Sequence, residues 1–310
     1  MKALLGWLTA KPVHGLLAAM AVSVVALFAL PVLAWVPAGI VVLALLATGT
    51  QAALLAMLGA ALPIAWGFSP ATGFVGGLVV AAAVLLPAYA AGSLLVKSRS
   101  LSFAFQAVAL GACALVVLVR LLLGDPTGAL QPLLELFRPA LEETARALGD
   151  LGVQRTPEEI GEATARVAWA TGAWMLLLHT MSSLFAGLWA FGKLQEPGLF
   201  GRQFRELRLG TLVAWIAVAA LLGSLVAQWV FGRPWAVADD VLFVLAGAFL
   251  LQALAVVHAL RAAQAVGPAT VAIAYAALLL VPMALVGFGL ADSWVRFRER
   301  FGRGPGTPQG

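Results

Sequence analysis

The chain has 310 residues, of which 62% are hydrophobic and 11% charged, with a formal net charge of +5 and one cysteine. Soluble proteins average roughly 25% charged residues, so this composition excludes an ordinary water-soluble domain. A single cysteine likewise excludes an intrachain disulfide.

From Pro12 to Val96, 85 consecutive residues carry no Asp, Glu, Lys or Arg. As helix that run would extend ~130 Å, about four crossings of a ~30 Å hydrocarbon core. Apolar residues come in unbroken runs such as Ala107–Leu123 and Val241–Leu251 rather than in alternation, which selects helices over a membrane barrel. The fold class is therefore all-α, a polytopic transmembrane helical bundle.

Nine spans are predicted, near 13–32, 35–49, 51–67, 72–92, 101–123, 166–191, 210–231, 237–261 and 268–291. The second is short, between Pro31, Pro37 and Gly49, and the count falls to eight if it does not cross. Lys2 and Lys11 precede an apolar stretch ending at Val32-Leu33-Ala34, a passable cleavage pattern, but apolar chain follows at once. An uncleaved first span is the better reading. All fourteen acidic residues lie at or after Asp125. The chain so divides into an uncharged N-terminal transmembrane bundle (1–124), an external amphipathic helical segment (125–165), a C-terminal transmembrane bundle (166–300) and a disordered tail (301–310). In the external segment Leu130, Leu133, Leu134, Phe137, Leu141, Ala145 and Leu148 keep a period near 3.6, broken at Pro139. Thr156-Pro157-Glu158-Glu159 reads as a capping box, opening a helix that runs into the sixth span.

Lys2, Lys11, Lys97, Arg99, Lys193, Arg202, Arg205, Arg208 and Arg261 all fall on one side of a nine-span chain. The positive-inside rule makes that side, and with it the N-terminus, cytoplasmic. The bacterial inner membrane is the expected location. Residues 125–166, with eight acids against four arginines, fall outside. Arg296, Arg298, Arg300 and Arg303 conflict with this scheme, because an odd number of spans carries them outside as well. Trp35, Trp66, Trp169, Trp229, Trp235 and Trp294 mark one predicted interface, Trp7 and Trp189 the other.

His179 stands in the sixth span on a face with Gly172, Met175, Ser182, Ser183, Ala186 and Gly187. A small, polar face in an apolar helix should point inward. His179 is either a substrate-contacting or proton-handling group or a neutral imidazole bonded to a neighbouring helix. Gln252 needs a hydrogen-bond partner in hydrocarbon, as do Gln106 and Gln228, the latter beside Ser224. His179, Ser182, Ser183 and Gln252 form the candidate substrate-binding set. Asp239 and Asp240 at the start of the eighth span, and His258 and Arg261 at its end, suit the helix dipole without further function. Arg120 is expected to snorkel. The stripes Ala52-x3-Ala56-x3-Ala60 and Gly73-x3-Gly77-x3-Ala81 allow close helix packing, internally or against another membrane subunit. Phe200, Phe204 and Leu207 recur at i, i+4 and i+7, with Arg202, Arg205 and Arg208 on other surfaces. That pattern is an interfacial helix on anionic lipid, or a partner-docking loop.

No P-loop, HExxH, Cys/His cluster or nucleophile elbow occurs. No metal or other cofactor, no nucleic-acid partner and no enzyme activity are expected. The run from Pro197 to Gly210 resembles the cytoplasmic loop of the YybS-like family of predicted bacterial membrane proteins. The segments Leu251–His258 and Gly289–Arg298 fit the same pattern. That family has no assigned function and is distantly similar to the S-components of energy-coupling-factor transporters. Those bind a small molecule in a helical bundle and work with a separate coupling subunit and ATPase. The resemblance implies a substrate-binding, permease-like component whose partners are lipid, a small-molecule ligand and a coupling or other membrane subunit. The alternative is a non-transporting membrane scaffold for partner proteins.

Overall fold

The computed structural model describes residues 1–30, 33–233 and 235–301. Among them every regular element is a helix. The tail expected to be disordered lies, beyond Phe301, outside the described residues. Five helices are long and apolar enough to cross a membrane, or up to seven if two sharply bent helix pairs each count as one span. The chain is thus a multi-span helical membrane protein, and the helices do not by themselves yield the expected count of nine spans.

The chain forms two compact units, each built from separate stretches of sequence. The first contains Met1–Ala109, Leu176–Ala214 and the chain from Gly247 onward. Here α1 (Lys2–Ala10) meets α2 (Pro12–Phe28) at a 116° bend, where Lys11 is extended and Pro12 can only begin a helix. The His14 ring stacks on Trp7 at 4.5 Å and its Nδ1 lies 2.7 Å from the Trp7 carbonyl oxygen, pinning the corner.

Next come α3 (Val36–Ala47) and α4 (Thr50–Ser98). At 49 residues, α4 would measure ~73 Å if straight. It is broken at Gly73, whose φ of 72° and ψ of 165° suit glycine alone. Beyond the break the chain doubles back. A Cβ on Gly77 would lie 2.1 Å from the Ala65 carbonyl oxygen, whereas residues twelve apart in a straight helix are ~18 Å apart. The expected third and fourth segments are therefore the two limbs of one hairpin, and Gly73, expected in a packing stripe, is its corner. Ala52, Ala56, Ala60, Gly77 and Ala81 are buried, so both small-residue stripes pack internally.

The lower half of α10 (Ala168–Leu194) runs beside α3. The Ser183 hydroxyl donates to the Trp35 carbonyl at 3.0 Å, and a Cβ on Gly39 would sit 3.2 Å from Ala186. The Trp35 backbone is thus paired to the middle of α10.

The chain leaves this unit in α5 (Leu101–Leu123) and returns through α12 (Gly210–Phe231) and α13 (Ala236–Ala262). After α13, the expected single span 268–291 is two helices, α14 (Pro268–Leu280) and α15 (Pro282–Val295). They are bent by 119° at Val281-Pro282. Pro282 supplies no N–H and clashes with the preceding turn, so the helix stops there. The chain ends, as described, in α16 (Phe297–Phe301).

The second unit is Leu110–Met175 with Trp215–Ala246. Between α5 and α10 it holds α6 (Pro126–Ala129), α7 (Gln131–Leu136), α8 (Arg138–Asp150) and α9 (Pro157–Arg166). The breaks fall at Leu130 and Phe137, and Pro139 begins a helix rather than interrupting one. Thr156 and Glu159 make the expected capping box. The helix opened there stops at a turn at Val167 instead of running on into α10. Asp125 caps α6 by accepting from the Thr127 N–H at 2.8 Å, which holds its carboxyl below the ordinary value.

Arg120 does not snorkel. It donates to Asp240 across 120 residues of sequence, with 11% and 6% of the two side chains exposed. Ser224 donates to Asp239 in the same unit. The acids at the start of α13 therefore serve side chains on α5 and α12, beyond any helix-dipole role.

Candidate functional site

Between α10 and α12 the chain forms a short helix, α11 (Leu199–Arg205), and then an irregular stretch, 206–209. Leu207 and Leu209 are fully buried. Backbone polar groups buried in an apolar bundle need partners, and here side chains supply them. The Ser102 hydroxyl donates to the Glu206 carbonyl at 2.8 Å and accepts from the Arg208 N–H at 3.2 Å. Gln106 donates to the Arg208 carbonyl at 3.1 Å, and Gln252 accepts from the Leu209 N–H at 2.7 Å. Arg298 donates to the Arg205 carbonyl at 2.8 Å and to the Leu207 carbonyl at 2.9 Å.

Arg298 is held in turn by Asp292 at 2.7 Å, with 8% and 1% of the two side chains exposed. Burial pulls the Arg298 guanidinium below its ordinary value, and the neighbouring Asp292 carboxylate pulls it back up. The amide nitrogen of Gln252 donates to the Gly289 carbonyl at 2.8 Å. Gln252 therefore joins this stretch to α15, with both ends of its amide engaged.

The other members of the candidate set are also separated. Ser183 donates to the carbonyls of Trp35 and His179, at 3.0 and 2.8 Å, and ties α3 to its own helix. The His179 ring approaches the Val84 backbone on α4, and its Nε2 is buried without a partner among the described residues. Met175, expected on the same inward face, is 60% exposed. Ser182 lines a cavity that the other three do not. Thus His179, Ser182, Ser183 and Gln252 do not make one pocket.

The cavity that Ser182 lines is a groove of ≈ 760 Å³ walled by α1, α2, α3, α10 and the start of α11. Trp7, Trp35, Ile40, Phe185, Trp189 and Phe200 are prominent in its wall, and Ser182 is the polar side chain there. Leu5 of α1 packs with Leu43 and Ala190 at its base. The volume and the apolar lining with one polar group match small-molecule sites, which run ~300–1,000 Å³. The sequence offered no sign of it, because α1 enters the wall only through its bend from α2.

The aromatic face of α11 turns into the protein rather than lying along lipid. Phe200 and Phe204 pack edge-on to Phe185 at 5.7 and 5.5 Å, and Phe204 meets His258 at 5.6 Å. His258 approaches the Tyr275 hydroxyl at 3.2 Å. On the other side, Arg202, Arg205 and Arg208 line a second cavity of ≈ 650 Å³ together with Ser102, Glu206, Ala259 and Arg298. One short helix thus borders an apolar groove with its phenylalanines and a basic cleft with its arginines. Among the described residues no group of three or more His, Cys, Asp or Glu side chains is placed to hold a metal ion. Compared with protein-family models, curated proteins and solved structures, the chain matches none.

Proposed function

We propose that this protein binds a lipophilic small molecule in the groove between α1, α2, α3 and α10, as the substrate-binding, permease-like component of an inner-membrane system. The single observation that carries the reading is a ≈ 760 Å³ apolar cavity with one polar side chain, Ser182, in a chain whose solvent is lipid. Hydrocarbon lining selects an apolar ligand body, and a lone hydroxyl selects one polar contact. Binding without chemistry is the role proposed, since Ser182 has no base beside it in the groove wall. His179 is assigned to packing against α4. Kinship with the YybS-like family, and through it a coupling subunit as partner, rests on the three motif segments alone. The scaffold alternative has less support, because the small-residue faces it would present to partners are buried inside the first unit.

The same reading assigns eight crossings and a cytoplasmic location for both termini. The crossings are α2, α3, the two limbs of α4, α5, α10, α12 and α13. The α14–α15 pair then enters and leaves on one side, which its 119° bend supports. The basic tail also lies against the basic loop: Arg298 grips the Arg205 and Leu207 carbonyls, and Arg208 pairs with Glu299 at 2.9 Å. Trp294, which the nine-span scheme put at the outer interface, belongs in this reading to the inner one.

The binding role is tested by purifying the protein from its native membrane in mild detergent and weighing it by native mass spectrometry. A discrete apolar adduct that survives delipidation is expected. Ala18→Trp, which fills the groove wall, should abolish it, while Leu62→Trp on another surface should not. No adduct, or equal retention in both variants, would remove the groove from consideration.

A further inference from the structure

The basic cleft beside α11 is not accounted for by the groove. Four guanidiniums and one carboxylate, Glu206, stand on its wall. The acids that pair with three of those arginines, Glu196 with Arg202, Glu299 with Arg208 and Asp292 with Arg298, are not in the wall. They neutralise three of the four guanidiniums from outside the wall, and Arg205 is the one without an ion pair among the described residues.

Two donors there have no partner among the described residues. Arg205 has neither an ion pair nor a hydrogen bond to its guanidinium, and its charge acts on His258 nearby. Arg298 is nine-tenths buried, yet its Nε–H is unmatched. Guanidinium forks match the oxygens of phosphate in pairs, which a single ammonium cannot do.

We propose that the cleft formed by Arg202, Arg205, Arg208 and Arg298 binds a phosphate-bearing anion, with Arg205 as the guanidinium that is free to receive it. Arg298, fixed by two backbone carbonyls and Asp292, supplies a preorganised second donor. A phospholipid headgroup and a soluble phosphate share this chemistry. The site is independent of what fills the apolar groove.

The test uses the full chain in a neutral maltoside detergent, titrated with dioleoylphosphatidic acid and separately with inorganic phosphate. Binding is read by native mass spectrometry and by thermal stabilisation. Replacing Arg205 by Gln removes a charge-assisted fork and should weaken binding ~10-fold or more, while Arg261→Gln at the exposed end of α13 should leave it unchanged. Lipid binding that millimolar phosphate does not displace assigns the site to a headgroup. Phosphate binding with the same sensitivity to R205Q assigns it to a soluble ligand. Either result supports the cleft. Failure of both probes to bind, or equal losses in R205Q and R261Q, overturns it. Should R205Q not fold, Arg202→Gln, exposed and without a backbone role, replaces it under the same criteria.

Discussion

Arg120→Leu should be among the most destabilising single changes in the second unit. The substitution keeps an apolar stem of comparable length in α5 and removes only the guanidinium. Asp240, 5% exposed, would then be a buried carboxylate beside Asp239 with no cation. Breaking a buried ion pair from one side costs ~3–5 kcal/mol. Arg120 keeps 11% exposure and sits in the last turn of α5, so some water reaches the site, and ~2–4 kcal/mol is the expected loss. At ~2–4 °C per kcal/mol, this corresponds to a fall of roughly 4–16 °C in the unfolding midpoint. Cys113 is the natural reporter, being the chain's one cysteine, buried, and on the same helix two turns before Arg120. Its reaction with a thiol-activated fluorophore during heating in detergent marks the opening of that helix. Asp240→Asn alone should cost less than Arg120→Leu, since it leaves a neutral amide. The double variant should be more stable than Arg120→Leu, because no uncompensated carboxylate remains. If the two single losses simply add, or Arg120→Leu melts with the wild type, the pair contributes nothing and the reasoning fails.

Gln252→Leu removes the partners of the Leu209 N–H and the Gly289 carbonyl. At ~1–3 kcal/mol for each buried unmatched group, a loss of ~2–6 kcal/mol is expected, measurable as earlier aggregation on heated size-exclusion chromatography. Gly289→Ala would bring a Cβ to 2.1 Å from the Phe249 carbonyl oxygen, whereas at Gly111 nothing lies within 4 Å. The first should destabilise by ~1–3 kcal/mol through overpacking, and Gly111→Ala should be neutral or gain up to ~1 kcal/mol of helix propensity; equal behaviour would contradict the close approach. Glu299 accepts from Arg208, which holds its carboxyl below the ordinary value. Because the folded value is the lower one, the contact contributes above the ordinary carboxylate range and is lost as pH falls through the depressed value. Amide exchange in Phe297–Phe301, corrected for intrinsic rates, should therefore quicken at pH 3 relative to pH 6, and should not do so in Glu299→Gln.

Membrane class was legible because the absence of charge is a property of composition, readable without knowing any contact. The capping box at Thr156 was legible because its partners are three residues apart. The role of Gln252 was half legible. Its place in hydrocarbon demanded a partner, but that partner is an irregular backbone stretch 43 residues earlier. Arg120 and Asp240 each looked sufficient at its own helix end, and only the fold brings them together. Gly73 and Pro282 were visible as residue types known to disturb helices. A glycine in an apolar run can equally be a packing contact, and a proline in a membrane helix can merely kink it. Neither residue type reveals the size of a bend. The expected pocket failed for a related reason. Each polar side chain in the apolar bundle looked like a site, while Gln252 bonds 206–209 and Ser183 ties α10 to α3.

The bend at Val281-Pro282 also bears on the conflict over the terminal arginines. Nine straight spans carry Arg296, Arg298 and Arg300 to the side opposite the basic loops, against the usual bias. The helices α14 and α15, of 13 and 14 residues, are bent by 119° against each other. A pair that enters and exits on one face leaves eight crossings and returns the arginines to the side of Lys97 and Arg208. The Arg298 contacts to the loop carbonyls require the same placement. Single cysteines introduced at Lys97, Glu143 and Arg296 in a Cys113→Ala background distinguish the two schemes. In intact spheroplasts a membrane-impermeant maleimide should label the cysteine at position 143 alone, and those at 97 and 296 should react only after permeabilisation. Labelling at position 296 from outside would restore the ninth crossing and break the contact between tail and loop on which the basic cleft depends.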